Sequence, residues 1–170
     1  MPTINSWLSV LAASYIVYLL PPYFENIGKR LVKTPKVYFY DTGLATFLLG
    51  IDSEDQLEKH PLRGALFGNY VINEMLKDKM NKGEKPNLFF YRDQSLREID
   101  VICPKAQFLE AYEIKSSMSY NREFFKQLAY IRQLLPGRVM RSAVIYDGDS
   151  QQDKPIEGLW NFRNFRLESD

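Results

Sequence analysis

The pattern of apolar and polar residues over the first fifty positions predicts two short helices around a pair of strands. Apolar residues recur at helical spacing over residues 4–14, and a β-rich run follows over residues 15–20. A second strand is expected at residues 36–40, after two prolines and a basic connection. Asp41 then caps a helix over residues 42–49. Because a helix, a strand, a basic loop and a strand are typical of half a winged-helix module, residues 1–50 are interpreted as a partial winged-helix-like segment.

The pattern changes after residues 51–63, which are acidic and are interpreted as a surface linker. A helix is expected at residues 64–80, strands at 88–91, 98–102 and 108–115, a second helix at 121–135 and a further strand at 142–146. This order predicts an α+β (α/β) domain over residues 64–170, in which helices flank a mixed β-sheet.

Composition and charge narrow the functional classes. With 45% hydrophobic and 25% charged residues the chain has the composition of a globular protein, which disfavours disorder and membrane insertion. The longest apolar stretch, residues 7–22, is shorter than the roughly 20 residues of a membrane-spanning helix, and no basic residue precedes it as in a signal peptide. We therefore expect a cytoplasmic protein with no membrane partner. The net charge of +1 means that DNA binding would require a local basic patch.

Three charged residues on two neighbouring predicted strands form the strongest candidate site. Glu113 and Lys115 are two residues apart on one strand, so their side chains share a face. Asp100 lies on the preceding strand, close enough in sequence for an antiparallel pair to bring it beside Glu113. Two carboxylates there could hold Mg²⁺ or Mn²⁺ through oxygen. Lys115 would orient the attacking water or offset the charge that builds on the transition state.

Glu74 is the expected third acidic ligand. On the helix predicted over residues 64–80 it follows Phe67 by seven residues and Val71 by three, which places it on the apolar stripe. A buried carboxylate is costly unless it is paired or bound to a metal. Since one cysteine, Cys103, and one histidine exclude a disulfide and a zinc site of nitrogen and sulfur ligands, any metal is expected to be magnesium, manganese or calcium.

Four basic residues are candidates for contacts with nucleic acid. Lys29, Arg30 and Lys33 lie in the basic connection, which could contact DNA as a wing or could simply be solvated. Arg92 lies just past a strand end, where it could contact a phosphate or pair with a nearby acid, Asp93 or Glu98. We favour the ion pair for Arg92.

Several segments carry a family resemblance: residues 35–44 (PKVYFYDTGL), 64–74 (GALFGNYVINE), 90–93, 98–100 and 113–115. With these segments the chain resembles the PD-(D/E)XK (restriction-endonuclease-like) nuclease superfamily. More closely, nearly the whole chain resembles the uncharacterised C-terminal domain that follows the AAA-type ATPase module in many bacterial and archaeal predicted ATPases. The resemblance implies a restriction-endonuclease-like fold for residues 64–170.

The resemblance also implies roles for individual residues. It implies Asp100 and Glu113 as metal ligands, Lys115 as the catalytic lysine and Glu74 as the helical acid. The next helix carries Gln127 and Tyr130, which resemble a glutamine and a tyrosine that some nucleases of the superfamily carry there and which are candidate nucleic-acid contacts.

The resemblance further implies a larger protein. Members of the ATPase family carry a phosphate-binding loop, but this sequence has no G-x-x-x-x-G-K-[ST] motif, so no ATP site is expected in it. We expect the chain to be part of a longer protein, with the ATPase module as a partner.

Three functional hypotheses follow. The first is a Mg²⁺-dependent or Mn²⁺-dependent enzyme that hydrolyses DNA phosphodiesters. The second is a catalytically inactive DNA-binding or regulatory module attached to an ATPase. The third is an oligomerisation domain.

Overall fold

A computed structural model describes residues 2–23 and 33–167. The N-terminal part consists of α1 (Pro2–Ala13), β1 (Val17–Leu20) and β2 (Lys36–Phe39). The two strands pair antiparallel, with Val17 opposite Phe39 and Leu20 opposite Lys36. This confirms the predicted order of one helix and two strands. Lys29 and Arg30 lie outside the described residues.

Two short helices follow, and one of them was not predicted. Helix α2 (Thr42–Leu48) begins as expected, because the Asp41 side chain accepts hydrogen bonds from two backbone amides of the first turn. Helix α3 (Glu54–Lys59) lies inside the expected linker and is capped by the Ser53 hydroxyl. Acidic residues in its first turn and a lysine in its last turn favour the helix dipole. The acidic composition that indicated a linker therefore also stabilises a helix.

The centre of the molecule is a five-stranded sheet. Its strands are β3 (Phe89–Arg92), β4 (Glu98–Lys105), β5 (Phe108–Lys115), β6 (Val139–Tyr146) and β7 (Gly158–Asn161), in that spatial order. The first three strands pair antiparallel, whereas β6 pairs parallel to β5 and β7 parallel to β6. The predicted mixed sheet is confirmed, with β7 as an additional strand.

Helices cover both faces of this sheet. Helix α4 (Arg63–Asn81) packs Ile72 and Met75 against Tyr112 of β5, in one hydrophobic core. Helix α5 (Lys126–Leu134), which follows a 3₁₀ turn (Arg122–Phe125), packs Leu128 against Ala111 of the same strand, in a second core. Because neighbouring residues of a strand point to opposite faces, the two helices flank the sheet as predicted.

The N-terminal strand pair is attached to the first of these cores. Leu20 is fully buried there. Asn69 of α4 holds β2 with two hydrogen bonds, since its Oδ1 accepts from the Phe39 amide at 2.8 Å and its Nδ2 donates to the Phe39 carbonyl at 2.7 Å. The backbone of residues 21–23 also bonds to Phe90 of β3, at 2.7 and 3.0 Å. These contacts fix β2 beside the edge of the main sheet.

One face of α1 remains exposed, with Ile4, Trp7 and Val10 each more than half accessible. Within residues 2–23 and 33–167, no helix combines the length and the apolar character that crossing a bilayer demands.

Candidate functional site

The acidic residues of the candidate site lie where β4 and β5 separate. The two strands are antiparallel neighbours, as predicted, and their paired register ends at Val101 and Tyr112. Asp100 and Glu113 are the next residues beyond that pair. The topology therefore brings the two carboxylates to the same end of the sheet.

A β-bulge sets the direction of the Asp100 side chain. The register between β3 and β4 shifts by one residue, so that Asp100 and Val101 together lie opposite Phe90. The bulge removes Asp100 from the regular alternation of β4. Its Oδ2 accepts a hydrogen bond from the Ile114 backbone amide at 2.9 Å, which ties the carboxylate to β5.

Glu113 and Lys115 share one face of β5, as their spacing predicts. The Lys115 Nζ donates to Glu113 Oε2 at 2.6 Å. Glu113 is only 3% exposed, and its second oxygen, Oε1, is buried without a hydrogen-bond partner. Asp100 Oδ1 also makes no hydrogen bond within the two described ranges, but it lies 3.9 Å from the Lys36 Nζ, and the Asp100 side chain is 26% exposed. Each carboxylate is thus anchored by a hydrogen bond to one oxygen only.

The environment of these carboxylates favours their protonated forms when no cation is bound. Burial raises the pKa of Glu113 to about 8, and the charge of Asp100 adds to this effect. Burial also raises the pKa of Asp100, against the opposing charge of Lys115. For Lys115 burial lowers the pKa, but the charges of Glu113 and Asp100 outweigh it and the pKa is raised. The two acids and the lysine therefore influence one another's ionisation.

The sequence did not indicate that β2 contributes to this site. Lys36 of β2 donates to Glu98 Oε1, and its Nζ lies 3.9 Å from Asp100 Oδ1. Burial raises the pKa of Tyr38, and the charges of Asp100 and Glu98 raise it further, so these two acids lie close to the Tyr38 hydroxyl. Lys36 and Tyr38 are two residues apart on a strand, which indicates a shared face. Nothing in the sequence shows that this face meets a strand sixty residues further along.

Arg92 forms the predicted ion pair. Its Nε donates to Glu98 Oε2, so that Glu98 lies between Arg92 and Lys36. Both cations also lie over the Phe90 ring, with the Lys36 Nζ at 5.2 Å and the Arg92 Cζ at 5.6 Å from its centre. A contact between Arg92 and nucleic acid remains a prediction.

Glu74 is not on the buried face of α4, which corrects the expectation from the sequence. Its side chain is 47% exposed and pairs with Lys77 at 2.7 Å. The buried stripe of α4 is centred on Ile72, Met75 and Leu76, and at about 100° per residue Glu74 lies well away from Ile72. The charges that shift the pKa values of the two buried acids do not include Glu74. Its predicted role as a third ligand has no support in this geometry.

The other residues predicted to contact nucleic acid lie on different elements of the structure. Gln127 is partly buried on α5, and the Tyr130 hydroxyl donates to Asp93 Oδ2 at 2.9 Å. The Arg97 guanidinium lies 4.4 Å from the centre of the Tyr130 ring. Lys33 is exposed just before β2. Their interaction with nucleic acid stays a prediction, while Cys103 is buried in the first core as expected.

Comparison with known proteins places this chain among uncharacterised families. Residues 63–164 match the family described as a domain of unknown function, DUF4143. The chain belongs to this family. It is a domain found in AAA-ATPase-associated proteins, and its description assigns no activity. Residues 1–55 match a second domain of unknown function, DUF8612. Asp100, Glu113 and Lys115 therefore lie in the DUF4143 match, whereas Lys36 lies in the other.

Two curated relatives are likewise uncharacterised. They are proteins of Mycobacterium tuberculosis and Mycobacterium bovis, and each is 32% identical to this chain over 150 residues, or 86% of its length. The chain spans about a third of the length of these relatives, 32% in each case. No solved structure matches the chain.

Proposed function

We propose that this chain is the nuclease-like domain of a larger, AAA-type ATPase. In this proposal it hydrolyses DNA phosphodiesters with a divalent cation, Mg²⁺ or Mn²⁺, held by Asp100 and Glu113. The observation that carries the proposal is the open Glu113 Oε1, buried without a partner beside a second carboxylate and a lysine. An unpaired buried oxygen is costly, and a bound cation would compensate for it.

The donor atoms fit a hard cation. Asp100 and Glu113 offer carboxylate oxygens only. Within the described ranges no group of three or more histidine, cysteine, aspartate or glutamate residues is arranged to hold a metal. Mg²⁺ commonly binds proteins through only one or two carboxylates and keeps several waters for exchange with phosphate oxygens. Two ligands therefore suffice for a magnesium-type site, although they would bind the ion weakly.

The chain's own residues then have separable roles. A bound cation would supply a Lewis acid for the phosphate and acidify a water molecule. Glu113 would release its proton when the ion binds and would hold the ion through Oε1. The Lys115 ammonium, anchored to Glu113 Oε2 and 34% exposed, would place a positive charge where negative charge builds on the phosphate. Asp100, held by the Ile114 amide, would keep its free oxygen directed at the same point.

The test is cleavage of DNA by the purified chain in Mn²⁺ or Mg²⁺. Asp100→Asn and Glu113→Gln should each lower the rate by about 100-fold or more, a typical effect for losing one charged group of a catalytic site. Glu74→Gln is the matched control, because it removes an acid that is exposed and paired outside the site. Cleavage that survives Asp100→Asn in a folded protein would rule out the proposal.

A second candidate, an inactive DNA-binding or regulatory module, is favoured by a different observation. Glu98 already lies between two cations, Lys36 and Arg92, and Glu113 already pairs with Lys115. Such pairing would also occur in a purely structural cluster. Calorimetry distinguishes the two candidates, since the structural cluster predicts no heat of Mn²⁺ binding that disappears in Glu113→Gln.

A further inference from the structure

Among the described residues, Lys36 is the one cation of this site that comes from the N-terminal strand pair. Its side chain is 18% exposed and is held between Glu98 and the Phe90 ring, with Asp100 Oδ1 3.9 Å from its Nζ. The Asp100 oxygen that Lys36 approaches is the one that the Ile114 amide leaves open. Lys36 therefore lies next to the position that a cation bound to Asp100 would occupy.

The charges of the described residues around this position balance. These residues contribute three carboxylates, from Glu98, Asp100 and Glu113, and the described cations paired with or facing them are Lys36, Arg92 and Lys115. With all six groups ionised their net charge is zero. Adding a divalent cation gives the site an excess of +2, which an anionic phosphodiester reduces to +1. Because charges in a partly buried site interact strongly, the cation and the anion should favour each other's binding.

We propose that Lys36 sets how strongly this site binds its two ligands: its charge weakens binding of the divalent cation and strengthens binding of the phosphodiester once the cation is bound. The inference rests on the proposed function, because it uses the same cation position. It adds a positioning residue from the segment outside the DUF4143 match. It also gives the attachment of β2 to α4 through Asn69 a functional consequence, since that attachment sets where Lys36 lies.

The structure provides variants that isolate this effect. Lys36→Met removes the charge and keeps an unbranched side chain of similar length over Phe90. Lys36→Gln removes the charge but keeps a hydrogen-bond donor for Glu98. Lys36→Arg retains the charge. Lys77→Met is the matched control, because Lys77 is also paired with a glutamate, Glu74, on an exposed face of α4.

The experiment is calorimetric titration of the full chain with Mn²⁺, and then of the Mn²⁺-loaded chain with dimethyl phosphate, the simplest phosphodiester. The original chain should bind both ligands. Lys36→Met should bind Mn²⁺ about tenfold more tightly, because one neighbouring positive charge is gone, and its Mn²⁺-loaded form should bind dimethyl phosphate about tenfold more weakly for the same reason. Lys36→Gln should behave like Lys36→Met, and Lys36→Arg and Lys77→Met like the original chain.

The outcomes separate this inference from the proposed function. If the original chain binds Mn²⁺ at the Glu113-dependent site but both uncharged Lys36 variants keep its affinities for Mn²⁺ and for dimethyl phosphate, Lys36 acts on neither ligand and only the inference is overturned. Mn²⁺ binding that is detected only in the uncharged variants supports the inference. If no variant binds Mn²⁺, the proposed function itself is wrong and the inference is overturned with it.

Discussion

Glu110 and Glu113 lie on the same strand and are almost equally buried, at 1% and 3% exposure, yet their surroundings differ. Glu110 accepts a hydrogen bond from the Tyr112 hydroxyl at 3.0 Å and lies opposite Arg141 in the register of β5 and β6. Glu113 pairs with Lys115 through one oxygen and leaves the other without a partner. Burial alone therefore does not distinguish the two acids, whereas the unpartnered Oε1 of Glu113 does.

The largest expected difference between these two acids is in catalysis. Glu113→Gln should reduce Mn²⁺-dependent DNA cleavage by about 100-fold or more, since it removes a charge that faces the proposed cation. Glu110→Gln should leave the rate within a few fold in the fraction of protein that is folded. The measurement is the initial cleavage rate per folded molecule. Equal losses in both variants would contradict the distinction.

The loss of stability should be larger in Glu110→Gln than in Glu113→Gln, the reverse of the order expected for catalysis. Glu110→Gln weakens a buried hydrogen bond to a charged acceptor and removes the charge opposite Arg141, so it should lower the free energy of unfolding by about 2–4 kcal/mol. Glu113→Gln removes a carboxylate whose charged form burial disfavours, and should lower it by less than about 1 kcal/mol at pH 8. Urea denaturation of both variants without metal measures this difference. A larger loss in Glu113→Gln would show that its carboxylate is structural.

The raised pKa of Glu113 predicts a pH dependence of stability that Glu113→Gln should reduce. Between the ordinary value of 4.5 and about 8 the folded protein binds a proton at Glu113 that the unfolded chain does not. The free energy of unfolding should therefore fall as the pH rises from about 5 to about 8, by on the order of 1–3 kcal/mol. Urea denaturation at several pH values, without metal, gives this slope for both proteins. Identical slopes would show that Glu113 ionises normally in the folded state.

The smallest effect is expected for the exposed acid Glu74. Glu74→Gln removes a surface ion pair with Lys77, which should change the free energy of unfolding by no more than about 0.5 kcal/mol. Mn²⁺ affinity should stay the same, as measured by calorimetry. A clear loss of Mn²⁺ affinity would restore Glu74 as a ligand and extend the site to α4.

The sequence predicted what depends on local periodicity. Strand β5 has the predicted bounds, and the two-residue spacing of Glu113 and Lys115 correctly indicated their shared face. Glu74 shows the limit of this reasoning, because a helix carries apolar residues on a broad stripe and a position near its border can face the solvent. Packing of α4 against the sheet decides that border, and periodicity alone does not.

Contacts between distant parts of the chain could not be predicted from the sequence. Lys36 and Glu98 are 62 residues apart, and only the folded chain shows that β2 lies beside β4. Strand β7 is short and pairs with β6 in parallel after a long connection, so no local turn signal marks it. The bulge at Asp100 also arises from pairing with β3, and Asp100 accepts its hydrogen bond from the Ile114 amide of β5 at this irregular position.

The most direct test of the account is the position of manganese in crystals of the chain grown or soaked in Mn²⁺, located by its anomalous scattering. The account predicts one ion bound to both Asp100 Oδ1 and Glu113 Oε1, with Lys115 still paired to Glu113 Oε2. A manganese ion that binds elsewhere while these two oxygens remain without metal, at a concentration that saturates the protein in solution, would contradict it.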